Sequence, residues 1–306
     1  MVQTFTDFEL ILVDDGSPDT CPEICDEYAA MDPRVTVIHK PNGGVSSARN
    51  TGMAEAKGKY IMFCDSDDKV EASWCQSMYD VIEKNPNSWV VSNVWRVDRS
   101  GRTQPIDMEM ISSDDFQSGL TYFQIYKKSL SAYSWNKIYE LKKIQNFHIL
   151  FPQDREIGED VLFNIQYYQH CNSAVYVQNP LYYYYDTESG AMNQYRNDLF
   201  ELNLPLFDAR LPLILQSELR DFCDIYFYYF LNWLVNTFDQ RNKISFLKKM
   251  RYNQKMMKTE EFRFCIAHMT GKNDSPIFIQ VVRTHNFYLY WLFQKATQIK
   301  ARLSLK

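Results

Sequence analysis

No stretch of about 18 consecutive apolar residues occurs in this 306-residue sequence, so a membrane-spanning helix is not expected. The longest candidates, Ile225 to Val235 and Phe287 to Phe293, are too short for a bilayer. No signal peptide is expected from the opening residues. The seven cysteines are odd in number and scattered, with Cys21 and Cys25 the one close pair, so reduced cytosolic thiols are expected rather than a disulfide framework. The five histidines have no metal-ligand spacing with them, which argues against zinc. Internal repeats and low-complexity tracts are lacking, and with 45% hydrophobic and 15% aromatic residues disorder is not expected.

What is present is unevenly distributed. Residues 243 to 306 hold 13 Lys/Arg against 3 Asp/Glu, while the first 242 residues hold 20 against 35. The basic end is also aromatic. Phe287, Tyr290, Trp291 and Phe293, with Lys295, Lys300, Arg302 and Lys306, suit a helix lying on anionic lipid, and a packed helical subdomain is the alternative. The acidic front opposes nucleic acid, so no nucleic-acid partner is expected.

The most informative feature is a repeated pattern. Tyr60 to Asp68 is an apolar strand that discharges into Asp65, Asp67 and Asp68, and Phe8 to Ser17 does nearly the same with Asp14 and Asp15. An ionised carboxylate inside a buried strand is costly to desolvate, so the acids stand where each strand leaves the sheet. There they face the crevice at the carboxyl edge of an open α/β sheet and offer a hard divalent cation its preferred oxygen ligands.

The intervening sequence supplies the connections. A helix begins near Thr20 and Pro22 with Ile24, Tyr28 and Met31 at helical spacing, and Val35 to His39 is the next strand. Pro41-Asn42-Gly43-Gly44 makes a tight loop; Ser46 or Ser47 caps a helix carrying Ala48 to Ala56. This order predicts α/β architecture with a parallel, doubly wound sheet. Beyond it come a helix over Trp74 to Glu83, a strand over Trp89 to Val94, a polar irregular stretch over 98 to 115, and polar clusters at Trp135 to Tyr139 and Ile157 to Phe163. Short strands are expected around Ala174 to Val177 and Leu181 to Tyr185. Long helical patterns such as Phe222 to Phe238 and Phe278 to Gln298 follow, with a domain boundary near residue 195.

Phe8 to Asp19, Asn42 to Asp68, Trp135 to Tyr139 and Gly158 to Asn164, taken in order, resemble the family-2 glycosyltransferases of bacterial capsular and exopolysaccharide synthesis. The resemblance covers roughly residues 5 to 190. It implies a GT-A (Rossmann-like) mixed, mainly parallel sheet with helices on both faces over residues 1 to 195, followed by a helical region over 196 to 306. By the same resemblance Asp15, with Asp14 beside it, holds the nucleotide base, Asp65 lies near the ribose, and Asp67 binds Mg²⁺ or Mn²⁺ bridging the diphosphate. Arg49 lines the donor pocket, and Asp160 is the general base for an inverting displacement. Trp135, Asn136, Lys137 and Glu159 fall on the acceptor side, where an aromatic ring can stack on a sugar.

The implied reaction moves a hexose or N-acetylhexosamine from a nucleotide sugar, a UDP-sugar by expectation, to a lipid-linked glycan. The implied location is cytoplasmic, on the inner face of the plasma membrane if the basic tail binds lipid. Two departures from the family pattern stand out. Relatives begin with a further strand and helix, on the order of 30 residues, which leaves Leu10 to Val13 an expected uncovered edge. Asp186, in Tyr185-Asp186-Thr187-Glu188-Ser189, stands where relatives carry a base. These departures suit either a truncated reading of a longer enzyme or an impaired activity, and they motivate the alternative of an inactive remnant or a partner subunit of another glycosyltransferase. A nucleotidyltransferase on a related sheet is a further alternative.

Overall fold

The computed structural model describes residues 2–108, 116–187, 195–271 and 274–304, and the chain divides into two compact units, Met1–Ala191 and Met192–Lys306. In the first, β1 (Leu10–Asp14) leads through α1 (Cys21–Met31) to β2 (Val35–His39), and the two strands pair in parallel, Leu10 opposite Val35 and Asp14 opposite His39. The connection is a βαβ unit, and the parallel pairing brings the carboxyl ends of both strands to one edge. α2 (Val45–Glu55) follows a tight loop, and β3 (Tyr60–Ile61) and β4 (Lys69–Val70) flank the second acidic segment. α3 (Trp74–Lys84) buries Trp74, Met78, Val81 and Ile82, a spacing of three to four that marks one helix face.

β5 (Ser88–Val97) is the centre of the unit. Its residues Trp89, Val90, Val91 and Val94 are fully buried, as a continuous β-branched and aromatic run with no alternation requires of a strand covered on both faces. Around it lie β6 (Thr103–Pro105), β7 (Phe116–Leu120), α4 (Tyr122–Lys127), β8 (Lys137–Glu140), α5 (Leu141–Asn146), α6 (Glu159–Tyr168) and β9 (Ser173–Tyr185). The seven strands run in the order β3-β8-β5-β9-β4, with β6 on β5 and β7 on β9.

The architecture is mixed α/β, as expected, but the sheet is not mainly parallel. Among the described residues only β1 with β2 and β5 with β9 pair in parallel; β3–β8, β8–β5, β9–β4, β6–β5 and β7–β9 are antiparallel. Expectation and structure part because crossovers were legible only before residue 65, whereas later strands pair antiparallel with β5 and β9. The two strands expected at Ala174 and Leu181 are one, bridged through Pro180, with a register shift opposite Ser92 and Val94. β1 pairs only with β2 among the described residues, and Leu10 to Val13 remain half-exposed, which matches the uncovered edge read from sequence. The expected inner face of α1 points outward: Ile24, Tyr28 and Met31 are exposed and no residue of α1 is buried.

The second unit is helical, comprising α7 (Leu199–Arg210), α8 (Leu219–Asn236), α9 (Phe246–Met256), α10 (Glu260–His268), α11 (Pro276–Arg283) and α12 (Phe287–Ser304). From α8, Phe227 packs against Phe262 and Phe278 and Phe230 against Phe262, while Phe222 and Tyr226 pack against Phe207 of α7. The single helix expected over Phe278 to Gln298 is broken, with His285 in the left-handed region at φ 50° between α11 and α12. Phe287 and Tyr290, expected on a lipid-facing surface, are instead core residues at 1% and 6% exposure, in ring contact with Phe238 and Phe278. No helix among the described residues is long and apolar enough to cross a membrane.

Candidate active site

The two acid-tipped strands hold their carboxylates by different means. At the end of β1, Asp14 Oδ2 meets His39 Nδ1 at 2.9 Å and Oδ1 accepts the Ser17 amide at 2.9 Å. The His39 bond, and the Ser17 amide with it, hold the Asp14 carboxyl below its usual range. Asp15 turns toward the glycine loop. Its carboxylate accepts the Gly43 amide at 3.0 Å and the Gly44 amide at 2.7 Å, and it pairs with Lys40. Burial alone would raise its pKa, but the lysine and the two amides together bring it below the ordinary value.

Gly16 makes this closure possible. It sits at φ +73°, and a Cβ there would lie 2.8 Å from the Asn42 amide nitrogen, so only glycine lets the turn after β1 pack on the Lys40–Asn42 loop. The glycine-loop amides are therefore occupied by Asp15. They offer no open nest for a phosphate.

α2 starts at this loop and carries the centre of the site. One turn in, the Arg49 guanidinium reaches Asp65 Oδ1 at 2.7 Å and Asp160 Oδ1 at 2.6 Å, with Glu159 at 3.8 Å. Its side chain is 11% exposed and lies 5.3 Å from the centre of the Phe151 ring. An arginine fork suits this task because its two terminal nitrogens can bind two carboxylates in fixed geometry. Next to it, Asn50 donates to the Phe151 carbonyl at 2.8 Å and accepts the Phe151 amide at 2.9 Å. This two-bond clamp fixes the segment before Gly158.

Gly158 caps α6 at φ +83°, and Glu159 and Asp160 occupy its first turn, where the helix dipole favours negative charge. Burial raises the Asp160 pKa, Arg49 opposes that rise, Asp65 adds to it, and the net shift is upward. Asp160 Oδ2 also accepts the Ser134 amide at 3.3 Å. A carboxylate poised above its ordinary pKa, with a neighbouring cation that keeps it ionised, is suited to accept a proton.

The loop that supplies Ser134 is held from beneath by side chains sequence reasoning either missed or assigned elsewhere. Asn164 donates to the carbonyls of Ser131, Ala132 and Tyr133 at 3.2, 3.1 and 2.9 Å, and accepts the Tyr139 hydroxyl at 2.7 Å. Lys137 donates to the Leu130 carbonyl at 2.9 Å, to Asn136 Oδ1 at 2.6 Å and to the Tyr133 carbonyl. Asn136 in turn donates to the Ser92 carbonyl of β5 at 2.9 Å. These residues correct an expectation: Trp135, Asn136 and Lys137 are buried, and the Trp135 ring is stacked on Tyr133 at 4.4 Å and on Tyr182 at 4.3 Å. No face of that ring is open to a sugar. The polar spacing that suggested recognition instead satisfies buried backbone carbonyls.

The second acidic segment divides its labour. The Tyr182 hydroxyl accepts the Asp65 amide at 3.0 Å and donates to Asp68 Oδ2 at 2.8 Å, while the Tyr185 amide donates to Asp68 Oδ1 at 3.0 Å. Asp68 thus straps the segment to β9, and burial pushes its carboxyl up to about 6. Asp67 is exposed and, among the described residues, makes no hydrogen bond or ion pair. Asp186 pairs with Arg96 at 2.8 Å, so its charge is locally compensated; Glu188 and Ser189 lie outside the described residues. The structure therefore brings Arg49, Asp65, Glu159 and Asp160 together, and seats Asp15 on the loop that opens α2 and Asp14 on His39 and Ser17.

No group of three metal-ligating side chains forms among the described residues. The donor set still fits a divalent cation of the Mg²⁺ or Mn²⁺ type, since such ions commonly take one or two carboxylates and complete their shell with phosphate oxygens and water. Asp67 is the carboxylate open for that role.

Residues 1–151 match the family described as Glycosyl transferase family 2. EpsH of Bacillus subtilis (strain 168), which carries the name of a glycosyltransferase, is 31% identical over 219 residues, 71% of this chain and 63% of its own. EpsJ of the same organism, an uncharacterised glycosyltransferase, is 33% identical over 186 residues, 60% of this chain and 54% of its own. The chain thus spans under two thirds of the length of these relatives. The solved structure of Staphylococcus aureus TarS 1–349 in complex with UDP-GlcNAc superposes with a TM-score of 0.71 at 19% identity, covering 97% of this chain and 85% of that one. That likeness establishes the fold. With the acid-tipped strands, the Arg49 fork and the α6 carboxylates in place, residues 1–151 of this chain are similar to glycosyl transferase family 2.

Proposed function

We propose that the protein is an inverting glycosyltransferase that moves a hexose or N-acetylhexosamine from a UDP-sugar to a hydroxyl of a lipid-linked glycan, in cell-surface polysaccharide synthesis on the cytoplasmic side of the membrane. The observation that carries this reading is the bridge from Asp65 through Arg49 to Asp160, which joins the donor-side acid to a buried candidate base. The crystal structure of TarS 1–349 in complex with UDP-GlcNAc supports a UDP-sugar as donor.

In the proposed reaction Asp160 takes the proton of the acceptor hydroxyl as its oxygen bonds to the anomeric carbon. The bond from that carbon to the phosphate oxygen breaks on the opposite side, and UDP departs with the electron pair. One displacement inverts the anomeric centre. Arg49 keeps Asp160 ionised and Asp65 oriented, and Ser134 fixes the second Asp160 oxygen. Asp67 would hold a divalent cation, which when bound neutralises charge on the leaving diphosphate. Asp15 would reach the base only from the edge left by its bonds to Lys40, Gly43 and Gly44.

A panel of nucleotide sugars with Mn²⁺, followed by release of nucleoside diphosphate, tests the reading. Turnover with one UDP-sugar that Asp160→Asn removes is expected; equal turnover in the two proteins would refute the role of Asp160. A second reading, a silent subunit docking another glycosyltransferase, draws on the edge of β1 that pairs with no strand among the described residues and on the internal use of the Asp14 and Asp15 oxygens. Absence of UDP binding in calorimetry would favour it.

A further inference from the structure

The helical unit exposes apolar side chains beside a run of cations. Phe246 and Leu247, the first two residues of α9, are 50% and 66% exposed. On α12, Tyr288 and Leu292 stand one turn apart and are also exposed. The Phe246 ring meets Trp291 edge-on at 5.6 Å, and Lys295 Nζ lies 5.8 Å from the centre of the Trp291 ring, so the two helices contribute to one connected surface.

Along α9 the exposed cations Lys248, Arg251 and Lys255 follow at spacings of three and four, which places them on one stripe beginning beside Leu247. Neither α9 nor α12 contains an acid. Asp239 pairs with Arg241 at 2.9 Å and Glu201 accepts the Tyr252 hydroxyl at 2.5 Å, while Glu260 and Glu261 belong to the first turn of the next helix, α10. A surface of this kind fits a partner that is negatively charged at its boundary and apolar just beneath. Long basic side chains can lay their stems along apolar surface while the charged heads reach phosphate.

We infer that this face docks the protein on an anionic phospholipid surface, Phe246, Leu247, Tyr288 and Leu292 entering the headgroup boundary while Lys248, Arg251, Lys255 and Lys295 meet lipid phosphates. The inference deepens the reading of a lipid-linked acceptor. It assigns the contact to the outward residues of α9 and α12, since Phe287 and Tyr290 are core.

The test is sedimentation of the full chain with vesicles of phosphatidylcholine alone, and of an equal mixture with phosphatidylglycerol, in the absence of any nucleotide sugar. Failure here therefore leaves the transferase reading untouched. Partition onto the mixed vesicles is expected to exceed that onto phosphatidylcholine by about tenfold or more and to fall at high salt, as each cation near an anionic surface contributes about fivefold. Lys248→Glu with Arg251→Glu, and separately Phe246→Ser with Leu247→Ser, should each remove most of the binding with the circular dichroism spectrum unchanged. No binding, equal binding to both vesicles, or unaltered binding by either folded variant would overturn the inference. Self-association that Leu247→Ser abolishes in analytical ultracentrifugation, without vesicle binding, would assign the face to a second copy of the chain and overturn it as well.

Discussion

The ends of β1 and of the Tyr60 segment share one pattern, an apolar run followed by aspartates, yet the protein uses the two sets of carboxylates differently. At β1 a glycine turn folds back directly, so Asp14 and Asp15 spend their oxygens on His39, on Lys40 and on backbone amides of the same small sheet and loop. At the second tip Asp65 is held by Arg49 and Asp68 by Tyr182 and Tyr185, and Asp67 between them is left open. Of the first pair, Asp15 holds the loop that starts α2 and Asp14 ties the end of β1 to β2 through His39. The second set leaves one carboxylate, Asp67, exposed and without a hydrogen bond or ion pair among the described residues. A strand-end acid is thus open to a ligand only to the extent that neighbouring groups leave its oxygens unused.

The sharpest contrast lies at Asp160, the group that the second tip reaches through Arg49. Asp160→Asn should lower kcat by about 10²- to 10⁴-fold, the range of a general base, while calorimetry shows donor affinity retained. Arg49→Ala leaves Asp65, Glu159 and Asp160 facing one another without their cation, and should cost about 3–5 kcal/mol of stability in denaturant melts, as for other broken buried pairs. The sign of its pH effect follows from the present arrangement. Arg49 lowers the Asp160 pKa, so its removal raises it further and moves the acid limb of the kcat profile to higher pH. A limb that stayed in place would show that Arg49 does not tune the base.

Neighbouring acids in the second segment should separate cleanly. Asp67→Ala is expected to abolish Mn²⁺-dependent UDP binding in calorimetry with stability within about 0.5 kcal/mol of the parent, as befits an exposed side chain. Asp68→Ala should do the reverse, losing about 1–3 kcal/mol because the Tyr182 hydroxyl and the Tyr185 amide lose their acceptor. Equal effects of the two substitutions on metal-dependent binding would erase the distinction between the open acid and the strap.

The acid tips, the βαβ start and the helical character of the second unit could be read from sequence because each depends on local pattern. Contacts across long separations could not. Arg49 lies 111 residues from Asp160, and nothing in its helix specifies that partner rather than a phosphate. Trp135 shows the converse limit: an aromatic between polar residues looks like a recognition element until Tyr133 and Tyr182 are seen stacked against it. Asn164 and Lys137 went unrecognised as loop clamps because the carbonyls they satisfy belong to an irregular segment with no periodicity. In α1 the helical spacing was right and the buried face wrong, since periodicity marks a stripe but not what covers it.

The smallest expected effect concerns the Asp14–His39 pair, and its pH dependence identifies the first tip as structural. The bonds to Asp14 and Asp26 raise the His39 pKa, so its contribution to stability is full below the unfolded value of about 6.5 and is lost as pH rises through the higher folded value. Asp14 shifts the other way. Its contribution is present above the unfolded carboxylate value of about 3.9 and is lost as pH falls through the lowered one. The pair therefore supports β1 on β2 best between about pH 4 and 6.5, a window that amide exchange of the β1–β2 ladder should reveal as a maximum in protection. Asp14→Asn should flatten that maximum without altering UDP affinity. A loss of UDP affinity with the ladder still protected would instead move Asp14 into the donor site, and the contrast between the two strand tips would fail at its simpler end.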